Sequence, residues 1–197
     1  QYAILSYKRA LEAHEKDLFQ DELIKIHVKS RRGKTIEITR DEELDRVNFD
    51  KITGLRPVFQ SDGTVTAANA SSINDGAAAV LLMNEKKALE LDIRPLARVI
   101  SHANAALKPE WFTTAPSEAM PKAIAKAGLS IKDIDLFEIN EAFSVVALVN
   151  EQKLELDPAK VNIRGGAVSM GHPIGCSGAR ILVTLVHALQ QTGGRDG

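Results

Sequence analysis

Five of the 13 glycines in this 197-residue chain, Gly165, Gly166, Gly171, Gly175 and Gly178, fall within one 14-residue stretch. Glycine reaches left-handed backbone angles freely and lets another group come close to the main chain, so this density predicts a tightly built turn region rather than a plain linker. His172 stands in its middle, between Gly171 and Pro173. Proline stiffens the backbone on one side and glycine permits a sharp turn on the other, which holds an imidazole while leaving it accessible as a base. A histidine satisfied by a local hydrogen bond explains the same residues. The stretch contains no G-x-G-x-x-G and does not open a first β-α-β unit, so it is neither a dinucleotide fingerprint nor a P-loop.

The surrounding pattern reads as α/β. Ala77 to Met83 is a continuous apolar run, as expected for a strand buried on both faces, and Asn84 can cap a short helix that ends before Pro95. Leu96 to His102 predicts the next strand, Pro116 to Ala127 a helix stopped by Gly128, and Ile134 to Ile139 a third strand. Further helices follow over Asn140 to Lys153 and Ala179 to Gln191, flanking the glycine-rich connection from Pro158 to Ser177. Regular alternation of this kind predicts a layered α/β architecture. Nearer the start, Ile4, Tyr7, Ala10 and Leu11 define one face of a helix over Gln1 to Asp17. Ile24, Ile26 and Val28, then Ile36 and Ile38, alternate with polar residues as in two half-buried strands joined by a turn. The irregular stretch Asp41 to Asn74 reads as functional loop, with cuts near Asn74 and Pro95.

Composition narrows the function. Twenty-five Lys plus Arg against 26 Asp plus Glu give a net charge of -1, which leaves no global field to hold nucleic acid. No apolar run approaches the ~20 residues needed for a membrane-spanning helix. The single Cys176 excludes an internal disulfide and suits a reducing compartment, so a cytoplasmic location is expected. A zinc site on His172, Cys176 and His187 lacks a third ligand at usual spacing. Cys176 lies near a helix start that could favour a thiolate, but a small buried thiol packing as a hydrophobe is the plainer reading.

Two more segments carry polar chemistry. Asn140-Glu141-Ala142-Phe143 falls at a strand-to-helix junction, the end of an α/β unit that faces ligand crevices. Asn140 is there either a neutral hydrogen-bond donor to a ligand or an N-cap, with Glu141 near the positive helix end. Thr64 to Gly76 is small and polar and could run along a narrow ligand. A basic cluster, Lys25, Lys29, Arg31, Arg32 and Lys34, is either a solvated hairpin face or a steering patch for phosphates.

Gly63-Thr-Val-Thr-Ala-Ala-Asn-Ala-Ser71, Asn140-Glu-Ala-Phe143 and Gly165-Gly-Ala167 followed by Gly171-His-Pro-Ile-Gly-x-Ser-Gly-Ala-Arg180 together resemble the signatures of the thiolase family, in order and spacing, closest to its acetyl-CoA acetyltransferase branch. The resemblance covers essentially the whole chain. It implies a thiolase-like αβαβα fold with a mixed five-stranded sheet in each half, incomplete here. Residues 1–73 resemble the later part of the loop domain, 74–94 the piece returning to the N-terminal domain, and 95–197 the C-terminal domain without its final strands.

The resemblance implies acyl transfer between coenzyme A thioesters through a cysteine acyl-enzyme: acetyl-CoA condensing to acetoacetyl-CoA plus CoA, and the reverse thiolysis. His172 and Asn140 would be catalytic, Asn140 by holding a water. Ser71, Ala67 and Ala68 would meet the pantetheine arm, Phe143 would line the acyl pocket, and Arg46 would lie near the adenine. Lys51 and Arg164 depart from residues found in relatives. No permanently bound cofactor is expected, and relatives assemble as homodimers or homotetramers. The nucleophilic cysteine would lie upstream and the acid/base cysteine downstream, so these 197 residues alone are expected to be inactive. A 3-oxoacyl-CoA thiolase of broader chain length is the near alternative, and a non-catalytic CoA-binding or assembly module the distant one.

Overall fold

A computed structural model describes residues 1–197. In chain order it contains α1 (Tyr2–Glu15), β1 (Ile26–Lys29), β2 (Thr35–Ile38), α2 (Glu43–Arg46), α3 (Phe49–Ile52), α4 (Glu85–Glu90), α5 (Pro116–Lys126), α6 (Ser144–Leu154), α7 (Ala167–Met170) and α8 (Ser177–Thr192). No helix is long and apolar enough to cross a membrane.

The helices with strong local signals form where the sequence places them. Asn84 Oδ1 accepts the Lys87 amide at 2.8 Å, capping α4. Pro116 occupies the first position of α5, where its missing N–H costs nothing, and Gly128 follows the helix at φ +74°. Gly193 ends α8 in the same left-handed region.

The expected strands behave differently. Residues 77–83 and 96–102 are not strands: they make no backbone-to-backbone hydrogen bonds, and Leu81 and Leu82 are exposed. A strand exists only through a neighbour that takes its N–H and C=O groups, and no segment of the 197 residues pairs its backbone with these two. Residues 134–139 meet other segments in isolated contacts, among them the parallel bridge Phe137 to Val161, the Asp135 and Leu136 amides donating to the Asp196 carbonyl, and the Asn162 side chain at Ile139. The hairpin does form, antiparallel with Val28 opposite Ile36, but it stands in solvent instead of being half-buried.

Two clusters make the core. Ile134, Phe137, Ile139, Val146, Leu156 and Val161 pack beneath α5 and α6, while Ala10, Ala13, Phe19, Leu44 and Met170 join α1 to α7. Of the expected Ile4, Tyr7, Ala10, Leu11 stripe, Ala10 is buried and Tyr7 and Leu11 pack partly buried against the core, but the fully buried face is rotated to include Tyr2, Ala3, Ser6 and Ala13. Close approach explains the change, because a Cβ on Gly165 would lie 2.6 Å from the Ser6 carbonyl oxygen and 2.7 Å from the Ala10 side chain. Small residues on α1 and glycine opposite them bring the helix against the glycine-rich segment.

Candidate active site

Three segments distant in sequence meet around His172. The His172 amide donates to the Ser72 carbonyl at 2.8 Å, tying the histidine to residues 69–72. Those residues run along the start of α6: Ser71 donates to the Ala142 carbonyl from its amide at 3.1 Å and from its hydroxyl at 2.8 Å, and the Ser144 amide donates to the Asn69 carbonyl. Ala70 and Phe143 form an antiparallel bridge. Gly171 completes the junction, since a Cβ there would lie 2.2 Å from the Asn74 amide oxygen.

Asn140 is not a helix cap. α6 begins at Ser144 with Phe143 as the flanking residue, which leaves Asn140, Glu141 and Ala142 outside the helix. Asn140 Nδ2 lies 3.4 Å from His172 Nε2, and Asn140 Oδ1 is buried with no hydrogen-bond partner. On the other side of the ring, His172 Nδ1 lies 2.6 Å from the Ser177 hydroxyl, which is also 3.1 Å from the Pro173 carbonyl.

Ser177 has one proton and two possible acceptors. Given to Pro173, it leaves the hydroxyl oxygen to accept from Nδ1–H, so Nε2 is an unprotonated base. Given to Nδ1, it makes Nε2–H a donor. One serine therefore supports both states of the imidazole. Burial, followed by the nearby positive charge of Arg180, holds the His172 pKa below the ordinary histidine value, which favours the neutral ring at pH 7.

The remaining expected site residues fall into two groups. Arg46, Ala67 and Ala68 line one pocket of about 210 Å³ together with Tyr7, Lys51 and Leu55. Arg46 is also paired with Glu42 at 2.5 Å and Glu43 at 3.0 Å, so its charge is partly engaged. Phe143 packs edge-on against Phe59 and Phe112, at centroid distances of 6.3 and 6.5 Å. The segment from Ala68 to Ser72 links the pocket to the histidine. Cys176 lines a separate open cleft of about 440 Å³ with Gly76 and Pro173. Neither ring nitrogen of His172 is bonded to it.

Sequence reasoning missed the support beneath these groups. Glu141 is fully buried and receives four donors: Tyr2 hydroxyl at 2.9 Å, Asn162 Nδ2 at 3.0 Å, Ser6 hydroxyl at 2.8 Å and the Val168 amide at 3.1 Å. Asn162 also accepts the Ile139 amide and donates to the Ile139 carbonyl, acting as a one-residue strand partner just before Asn140. Arg164 is buried between Glu22 at 3.1 Å and Gln191 at 2.5 Å, with its guanidinium 5.8 Å from the centre of the Phe19 ring. Its place beside a glycine pair and its departure from the residue found in relatives were the signals for it.

Two family models match: "Thiolase, N-terminal domain" over residues 1–86 and "Thiolase, C-terminal domain" over 93–197. A probable acetyl-CoA acetyltransferase of Dictyostelium discoideum is 52% identical over 190 residues, covering 96% of this chain and 46% of that protein. Human mitochondrial 3-ketoacyl-CoA thiolase superposes with a TM-score of 0.93 at 41% identity, over 98% of this chain and 49% of that one. The Acat5 thiolase of Ascaris suum, solved with coenzyme A, superposes with a TM-score of 0.89 at 47% identity, over 95% and 48%. The chain thus spans about half the length of the relatives it matches. With both family models matched and this fold in common, the chain belongs to the thiolase family.

Proposed function

We propose that this chain supplies the histidine and asparagine half of a thiolase active site that condenses two acetyl-CoA molecules to acetoacetyl-CoA and CoA and catalyses the reverse thiolysis. The observation that carries the reading is the Asn140 to His172 approach of 3.4 Å, with Ser177 holding the far side of the ring. In the condensation, a cysteine thiolate displaces CoA thiolate from one acetyl-CoA and becomes acylated. The acid/base cysteine expected outside these residues takes a proton from the α-carbon of a second acetyl-CoA, and that carbon attacks the acyl carbon. The new C–C bond forms as the cysteine thiolate leaves. His172 takes the cysteine proton in its Nε2-unprotonated state and donates to the thioester oxygen once Nε2 carries hydrogen. The partnerless, buried Asn140 Oδ1 suits the water that would add a companion donor.

Coenzyme A is assigned to the pocket of Arg46, Ala67 and Ala68, with Ser71 between that pocket and His172. The same reading assigns residues 1–73 to the loop domain, 74–94 to the N-terminal domain and 95–197 to the C-terminal domain. It also takes the complete protein to be a homodimer or homotetramer. The likeness to a 3-ketoacyl-CoA thiolase supports a second reading, with longer acyl chains accepted.

The test is to incubate the complete protein with acetyl-CoA, trap the acyl-enzyme and map it by peptide mass spectrometry. The acyl group is expected on a cysteine outside these 197 residues, and label on Cys176 would overturn the assignment. Comparing thiolysis of acetoacetyl-CoA with that of a long-chain 3-oxoacyl-CoA separates the two readings of chain length.

A further inference from the structure

We infer that Glu141 is a positioning residue that sets the Asn140–His172 geometry from below, with Tyr2 and Ser6 of α1 as its outer supports; this rests on the functional reading above. Glu141 follows Asn140 directly in the chain, so its carboxylate anchors the backbone that aims the asparagine. The same carboxylate accepts the Val168 amide at 3.1 Å in α7, the short helix that leads through Gly171 into His172. It also presses on the glycine pair, because a Cβ at Gly166 would lie 2.5 Å from the Glu141 carboxyl carbon. One buried group therefore touches the segments that carry both catalytic side chains.

The bonding is specific for a carboxylate. All four partners donate, and two of them, the Val168 amide and Asn162 Nδ2, cannot reverse the direction of their bonds. A glutamine would have to turn its NH₂ toward donors and would push α7 or Asn162 away. Ser6, whose proton goes to Glu141, lies 3.0 Å from the Ser169 hydroxyl, and Ser169 has one proton for either Ser6 or the Gly166 carbonyl, also at 3.0 Å. Displacements of about 1 Å at a catalytic pair are worth roughly 10² in rate.

In the complete enzyme, Glu141→Gln is expected to lower kcat by about 10² while leaving KM for CoA within about twofold, because Glu141 does not line the coenzyme pocket. In an Asn140→Ala background the same substitution should cost much less, since part of what it positions is already gone. Tyr2→Phe and Ser6→Ala, which each remove one donor, should lower kcat severalfold without changing that KM and stand in if Glu141→Gln does not fold. A loss confined to melting temperature, with kcat per folded enzyme unchanged in these variants, overturns the proposal. So does full additivity with Asn140→Ala. His172→Ala separates the two levels of inference: if it lowers kcat and the Glu141, Tyr2 and Ser6 variants do not, only the positioning role falls. If wild type is inactive or His172→Ala is unaffected, the functional reading falls and takes this proposal with it.

Discussion

Asn140 Nδ2 stands 3.4 Å from His172 Nε2 although 32 positions separate them in the chain. Neither residue is held by its own helix. Asn140 is fixed by Asn162 and Glu141 on either side of it, and His172 by Ser72 at its amide and Ser177 at its ring. The pair is thus a product of convergent loops, each braced by buried hydrogen bonds.

His172→Ala in the complete enzyme is expected to reduce kcat by roughly 10²–10⁴ with little change in CoA affinity, combining loss of a base with loss of an oxyanion donor. Raising the pH forms thiolate without a base, so part of the activity should return. Asn140→Ala removes only the amide proposed to hold a water and should lose less, about 10–10², with no recovery at high pH. Steady-state rates across pH for the two variants check this, and parallel profiles would refute the division of roles.

Arg180 has a distinct effect. Burial first, and the Arg180 charge second, keep the His172 pKa depressed, so the acid limb of kcat/KM should lie below the ordinary histidine range. Arg180→Gln removes the second cause and leaves the first, and the limb should move to higher pH. The stability sign follows from the same depression. The unfolded chain binds more protons near the ordinary histidine pKa, so this group's contribution is lost as pH falls through that range toward the folded value. A limb that stays in place for folded Arg180→Gln would show that the charge does not reach the ring.

Glu138 destabilises the fold when it ionises. Its Oε2 is buried without a hydrogen-bond partner, and burial pushes its pKa up to about 8, against an ordinary value of 4.5, with Arg180 only partly opposing the rise. The folded state therefore holds a proton that the unfolded chain has released, and stability should fall as pH rises from 4.5 to about 8. Glu138→Gln should match wild type near the bottom of that window and exceed it at high pH by about 1–3 kcal/mol. Thermal unfolding at both ends of the window measures the difference, and an equal gap at the two ends would contradict it.

Arg164 and Glu22 form a buried pair at 3.1 Å, with Thr184 also donating to Glu22 at 2.9 Å. Arg164→Leu strands the Glu22 carboxylate and should destabilise the protein by about 3–5 kcal/mol. The double variant Arg164→Leu, Glu22→Leu removes both charges and should recover most of that loss. Denaturant unfolding of the two single variants and the double variant tests this, and a double variant as unstable as the sum of the singles would disprove it.

Features that depend on neighbouring residues were legible in the chain. Asn84 capping α4, Pro116 opening α5 and Gly128 and Gly193 closing helices are all bonds or backbone angles made within a few positions, so they appear as expected. The density of glycine around His172 also announced a tight site, and the motifs named both members of the Asn140–His172 pair. Whatever needs a distant partner was settled by packing in three dimensions. The apolar runs 77–83 and 96–102 found no neighbouring strand, because strand hydrogen bonds close only between segments that meet in space. α1 turned Tyr2 and Ser6 inward against the stripe its periodicity suggested, because a buried carboxylate on residue 141 and two bare glycines offered those side chains bonds and room that α1's own sequence could not reveal.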